Sequence, residues 1–566
     1  MSSWPPSGLG QPIGAARRIV LALAGAGLLL AGCALPPPLR APDTTPVPKA
    51  DTGSPLAEGW QHGAFIEIFV RAYADSDGDG IGDLRGLTGR LDHLQRLGVR
   101  GIWLMPITAN GDGDHGYATT DFRAVAPEYG TLADFDELIA QAHARGIGVV
   151  MDYVLNHAAA AHPMFVAARQ GAGSAWRDWF VWRDTAPAGW DIWGQNPWYH
   201  TPSQPWLHTG DLKQLPPAPP GARDFYFATF GPQMPDFNFR QPAVLNYHLD
   251  SLRFWLNRGL DGYRLDAVPH LIENNARDWN DQPESRALTR QIQALVKAYP
   301  RRYTVCEATA EPLAYADAEL CGAAFAFGLE GQLVKAARGE AEAIAKVAAY
   351  PAHAPPTMGV FVSNHDKFAG QRLWDQVGGD ERLYRLTAAT YLLLPGTPFI
   401  YYGEEIGQAG AAGLVDDPQI RGPMSWTADA ANAGFTRGRP FRALAANRAT
   451  HNVAAQQADP DSLLAHYQAL LALRNGHPSI ARGSYERAVA DGATLSFQRR
   501  RGDEHTVMTY NYGRTAARLP VAGLPAGARL QALHPRRGAA LTADATGALQ
   551  VPLAPQSFAV WQVRLR

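Results

Sequence analysis

Cysteine is nearly missing from these 566 residues, with three in all, at positions 33, 306 and 321. So few exclude a disulfide-built scaffold and a multi-cysteine zinc or iron–sulfur centre. Net charge is almost missing too: 51 basic residues face 53 acidic ones, a formal balance of −2. A chain without a basic excess carries no electrostatic footprint for nucleic acid, which leaves a neutral polymer open as a partner. There is no internal repeat, and the longest apolar run, Ile19–Ala31, is short for a bilayer span.

What is present suits a secreted, multi-unit globular protein. The length exceeds one ordinary domain, and a hydrophobic fraction of 46% supports two or three units with their own cores. Arg17 and Arg18 precede the apolar run, which ends in Leu30-Ala31-Gly32-Cys33. A basic start, a short apolar core and small residues before a cysteine resemble a bacterial lipoprotein signal. Cys33 would then become the acylated first residue of a monomer exported across the inner membrane and lipid-anchored in the cell envelope. A plain cleaved signal shares this build, and the Arg pair alone speaks for a twin-arginine route. Residues 34–59 are rich in proline and small polar residues and read as a tether, so folding should begin near Trp60.

Beyond the tether, short apolar runs alternate with helical patterns. The strands are expected at Ala64–Phe69, Val99–Ile107, Ile147–Val154, Leu260–Val268, Tyr303–Ala308, Ala323–Phe327, Met358–Ser363 and Thr397–Tyr402. Helical spacing marks Leu87–Leu97, Leu132–Ala144, Val244–Leu256 and Arg382–Leu394. Eight such units predict an α/β fold of the (β/α)8 TIM-barrel type, with catalytic residues at the C-terminal strand ends. The barrel would occupy residues 60–156 and 239–482, interrupted by an inserted domain over 157–238 that is too long for a plain loop. Short alternating segments over 483–566 predict a C-terminal antiparallel β-sandwich. In this layout Cys306 ends one strand and Cys321 begins the next, toward opposite ends of a parallel sheet, so two buried thiols are expected.

The chemistry-bearing residues lie where such a barrel needs them. Gly262-Tyr-Arg264-Leu-Asp266 closes the fourth strand and Val305-Cys306-Glu307 the fifth. Alternation puts Arg264 and Asp266 on one face, where the guanidinium would hold Asp266 ionised beside a Glu307 of raised pKa. Paired in this way, the two carboxyls suit retaining cleavage of a glycosidic bond.

These segments resemble the α-amylase family, glycoside hydrolase family 13, over roughly residues 60–566. Asp152-Tyr-Val-Leu-Asn156-His157, Ser363-Asn364-His365-Asp366, Gln233–Asn238 and the Gly396–Glu405 stretch are similar to further family segments, in the right order. The resemblance implies Asp266 as nucleophile, Glu307 as acid/base, Asp366 as a transition-state stabiliser and Arg264 as support for Asp266. It implies that His157 and His365 donate hydrogen bonds to the sugar, that Tyr117 stacks on it, and that Asp152 braces the site. The substrate implied is starch, maltodextrin or another α-glucan or maltooligosaccharide, hydrolysed at α-1,4 bonds.

A Gly-rich loop, Asp75-Ser-Asp77-Gly-Asp79-Gly-Ile81-Gly-Asp83, offers alternate carboxylates and the Ile81 carbonyl to a hard cation. In similar family members the loop holds structural Ca2+, the cofactor expected here. Asn156 could join a second calcium site, though no partner carboxylate is evident. After the fourth strand many α-amylases carry Lys-His, with both residues touching leaving-side sugars. Here Val268-Pro269-His270 follows, keeping only His270 for that contact and resembling trehalose synthases. A trehalose synthase-like or other glucosyl transferase on the same residues therefore stands as an alternative, and a non-catalytic glucan-binding lipoprotein as a second.

Overall fold

Short runs of β-branched and aromatic residues form one parallel sheet. The computed structural model describes residues 42–51, 53–201, 218–536 and 538–565. Arg17, Arg18 and Cys33 lie outside the described residues. Among those described, no helix is long and apolar enough to cross a membrane.

Seven strands pair in the order Tyr303–Cys306, Gly262–Asp266, Gly148–Val154, Gly101–Leu104, Phe65–Ile68, Thr397–Tyr401, Gly359–Val360. Every pairing is parallel. The remaining position is held by single bridges, Ala324 to Cys306 and Phe325 to Gly359, which complete a TIM-barrel ring of eight. The expected sixth strand is thus reduced to two bridging residues. Of the expected helices, Leu132–Ala144 keeps its bounds, and Thr131 caps it through a reciprocal capping box with Asp134. The Leu87–Leu97 helix instead divides into Leu84–Thr88 and Leu91–Leu97.

Aromatic rings fill the barrel interior, where Trp60, Phe65, Trp103, Tyr303, Phe325 and Phe399 belong to one buried cluster. Two strand glycines make the room. A Cβ at Gly101 would lie 2.3 Å from the Phe65 ring, and one at Gly148 would lie 2.2 Å from Trp60. Glycine usually weakens a strand, and here its missing side chain permits the close approach.

After the third strand the chain leaves the barrel and forms a three-stranded antiparallel sheet of Trp182–Arg183, Phe225–Phe227 and Trp198–His200. It returns alongside its own start, with His157 bridged to Asp236. From Glu486 onward a six-stranded sheet and the pair Ala517–Val521 with Leu549–Leu553 share a core around Val507, Val551 and Trp561.

Two expectations are corrected. Cys306 and Cys321 form a disulfide, with Cα atoms 6.2 Å apart. The expectation of free thiols assumed a full-length sixth strand. Because Ala324 is level with Cys306, that strand begins beside the end of the fifth rather than at the far end of the barrel. The segment read as a tether is also docked at several of its described residues. Its backbone donates from Val47 to Asp250 and from Ala50 to Asn257 of the helix Pro242–Asn257, and Leu56 is buried beside Trp60. Proline-rich extended chain forms no ladder of its own, so side chains of a neighbouring helix satisfy it.

Leu56 is 2 % exposed, so Leu56→Ala should cost about 2–4 kcal/mol in thermal or denaturant unfolding. A tether leucine would cost nothing measurable.

Candidate active site

The fourth strand sends Tyr263 and Leu265 into the main core and Arg264 and Asp266 to the opposite side. Strand register sets Asp152 of the third strand beside Arg264. The buried guanidinium meets three carboxylates: Nη1 lies 2.7 Å from Asp152 Oδ1 and 2.5 Å from Asp266 Oδ1, and Nη2 lies 2.8 Å from Glu307 Oε2. Glu307 follows the fifth strand, and its backbone N–H donates to the Leu265 carbonyl at 2.9 Å. Ala267 adopts the left-handed region at φ 48°, which turns its N–H onto Glu307 Oε2 at 3.1 Å. A non-glycine residue there is strained, and such strain gathers at functional sites.

A second ionic chain comes from the loop after the seventh strand position. Asp366 Oδ2 lies 3.0 Å from His365 Nε2, and Asp366 Oδ1 lies 3.1 Å from Arg421 Nη2. The other ring nitrogen of His365 faces Glu67 Oε1 at 2.6 Å. Burial alone would lower the His365 pKa, but Asp366 and Glu67 raise it to about 10. Burial would raise Asp366, yet the charge and hydrogen bond of His365, with Arg421, hold it well below the usual carboxylate range.

These groups open on a cavity of about 720 Å³ lined by Tyr117, His157, Asp266, His270, Glu307 and Asp366, among others. Burial depresses two of these rings, His157 to about 3 and His270 to about 4, so two neutral imidazoles line the cavity. The Tyr117 ring stacks on His365 at 5.5 Å, and its hydroxyl donates to Asp152 at 2.9 Å.

The His365 ring is buried with both nitrogens engaged, so it orients Asp366. Two expectations change. The upward pKa shift falls on Asp266, through burial and the charges of Glu307 and Asp152, with Arg264 opposing it. Asp152, on the same guanidinium, is pushed upward as well, again chiefly by burial. In the calcium loop, carboxylate atoms of Asp75, Asp77 and Asp83 lie within 4.8 Å of one another, whereas Asp79 stands outside this group and accepts from the Ile81 N–H at 2.7 Å. Asn156 donates to Asp236 at 3.3 Å and to the His270 carbonyl at 2.6 Å. Asp236 is the insert carboxylate that the sequence had not revealed.

Sequence reasoning missed Glu67 and Arg421. Period-two alternation with Phe65 in the first strand places Glu67 on the interior face, a signal that was available. Arg421 sits beyond the eighth strand in no recognisable pattern.

His365 has its pKa raised from 6.5 to about 10. Its stabilisation is therefore complete below about pH 6.5 and is lost as pH rises through about 10. In His365→Gln, the fall in melting temperature between these pH values should flatten, and an unchanged slope would show that the ion pairs carry no stability.

The α-amylase catalytic-domain model matches residues 67–483. The chain is 35% identical over 479 residues to the trehalose synthase/amylase TreS of Mycolicibacterium smegmatis, covering 76% of this chain and 79% of that protein. It is 30% identical over 530 residues to a probable α-glucosidase of Rhizobium meliloti, covering 82% and 92%. Among solved structures, the α-glucosyl transfer enzyme XgtA superposes with a TM-score of 0.73 at 27% identity, covering 89% of this chain and 99% of the other. The chain belongs to the α-amylase family of glycoside hydrolases and transferases, glycoside hydrolase family 13.

Proposed function

We propose that this enzyme cleaves short α-glucosides with retention and passes the glucosyl group to a sugar hydroxyl as well as to water. The observation that carries this reading is the pair Asp266 and Glu307 on one guanidinium at the cavity wall. Asp266 attacks the anomeric carbon while Glu307 protonates the leaving oxygen; Glu307 then takes the proton of the incoming hydroxyl. Asp366, held anionic by His365 and Arg421, stabilises the positive charge that develops on the sugar ring. Tyr117, His157 and His270 line the cavity and would seat the sugars.

A short substrate is favoured over a long glucan because two segments that line the cavity are tied to each other. Arg442 Nη2 lies 2.6 Å from Asp114 Oδ1 and its Nη1 donates to the Arg421 carbonyl, joining the loop of Tyr117 to the segment of Arg421. The relatives named trehalose synthase/amylase and probable α-glucosidase support action on short α-glucosides.

Asp266→Asn and Glu307→Gln should each lower turnover of maltose by at least about a hundredfold while leaving melting behaviour intact, since each removes an ionisable group at constant shape. Chromatography of products from trehalose, maltose and starch tests the substrate class. Isomerised or transferred disaccharide is expected, and rapid attack on starch with none on disaccharides would refute this reading.

We also propose that Asp75, Asp77 and Asp83 hold a structural Ca2+. Their carboxylate oxygens come close enough together to share one hard cation, which takes oxygen ligands of this kind. The ion would neutralise the loop and take no part in bond cleavage. A chelator should lower the melting temperature, and Asp77→Ala should remove that sensitivity while preserving turnover at low temperature. An unchanged melting temperature with no calcium on elemental analysis would leave an ordinary acidic turn.

A further inference from the structure

Trp193 is out of place by every local rule. It is a bulky residue at φ 51°, in the left-handed region, and Gly194 follows at φ 83°. Together they form the two-residue tip of a tight hairpin in which Ile192 and Gln195 exchange backbone hydrogen bonds of 2.8 and 3.0 Å. Asparagine or glycine is the usual occupant of such a tip, because a Cβ is strained there. The ring gains no burial in return, since Trp193 is 63 % exposed. Neighbouring Ile192 is buried with Trp198, Phe225 and Phe227, so the hairpin is anchored and the exposed indole is held on a rigid base. Strain without burial points to a role outside folding.

The ring's position shows what that role is. Trp193 lines the catalytic cavity. Its centroid lies 5.6 Å from His270, 5.7 Å from Phe230 and 5.6 Å from Trp279. Phe230 in turn lies 5.3 Å from His157, so rings run continuously from the inner wall of the cavity to its rim. Phe368, which also lines the cavity, is exposed and stacks on Phe327. A flat, electron-rich face at the mouth, beyond the carboxyl pair, matches the C–H face of a pyranose.

We propose that Trp193 is the specificity residue of the leaving and acceptor side: it stacks on the sugar that departs from, or attacks, the glucosyl group, and so sets the balance of transfer against hydrolysis. This rests on the reading of Asp266 and Glu307 as the retaining pair. In the step concerned, the acceptor hydroxyl oxygen bonds to the anomeric carbon as the ester bond to Asp266 breaks. The hydroxyl proton passes to Glu307. Water performs the same exchange without needing Trp193, whereas a sugar acceptor needs a surface to hold it in line.

The test uses Trp193→Asn, which keeps a residue that tolerates positive φ and removes the ring, and Trp193→Phe, which keeps a flat face. α-D-Glucosyl fluoride is the probe, because its leaving group is a single atom that touches no platform. In the absence of acceptor, fluoride release by Trp193→Asn should match the wild type within twofold. For maltose, kcat/KM should fall about three- to tenfold, the worth of one aromatic stacking contact. With glucose added to glucosyl fluoride, the ratio of disaccharide to hydrolysed glucose should fall by a similar factor. Trp193→Phe should restore most of both. Equal losses on glucosyl fluoride and maltose would overturn the proposal, as would an unchanged transfer ratio. Wild-type enzyme that releases no fluoride would instead overturn the underlying reading of the carboxyl pair.

Discussion

The guanidinium of Arg264 is the constraint on which the site depends. It is buried, it is the cation shared by Asp152, Asp266 and Glu307, and it lies over the rings of Trp103 and Tyr117 at 5.4 and 5.7 Å. Taking such a charge out of water is costly, and removing it would leave three carboxylates facing each other in a poorly solvated space. Parallel register fixes it from two sides, with Asp152 and Val305 as its strand partners. The orientation of nucleophile and proton donor is thus set by hydrogen-bonded backbone rather than by loops.

A second line of alternating charge crosses the same barrel end: Glu67, His365, Asp366, Arg421 and Asp417 follow one another at ion-pair distance. Each carboxylate meets a cation, so Asp366 keeps its charge where Asp266 tends to gain a proton. Their neighbours push the two carboxyls in opposite directions, while the division that retaining transfer itself needs is the one between nucleophile and proton donor. Above this rigid floor the inserted segment supplies the wall of rings from His157 through Phe230 to Trp193. The floor would govern bond cleavage and the wall would govern which molecule receives the sugar.

Much of this was legible in the residues, and the failures have physical causes. Strand periodicity located the barrel, and alternation put Arg264 and Asp266 on one face. The motif that marks His365 does not say which distant carboxylate its second nitrogen will meet. Glu67 supplies that carboxylate from 298 residues away. The Cys306–Cys321 bridge was missed because strand length depends on neighbouring strands, and the sixth position closes on two bridges alone. The proline-rich segment before Trp60 was read as a tether because composition records that a segment cannot form its own core. It is silent on whether a helix elsewhere offers Asp250 and Asn257 to the segment's backbone.

By itself the sequence determined the family, the eight-unit order and the carboxylates at strand ends, because these follow from local period and from short motifs whose spacing the backbone geometry fixes. Tertiary structure alone decided that Asp266 is pushed upward, which carboxylates His365 meets and where an exposed tryptophan is held. Those outcomes depend on burial and on charges brought together from remote parts of the chain. No local pattern encodes them, since the dielectric surroundings of a side chain exist only once the barrel has closed.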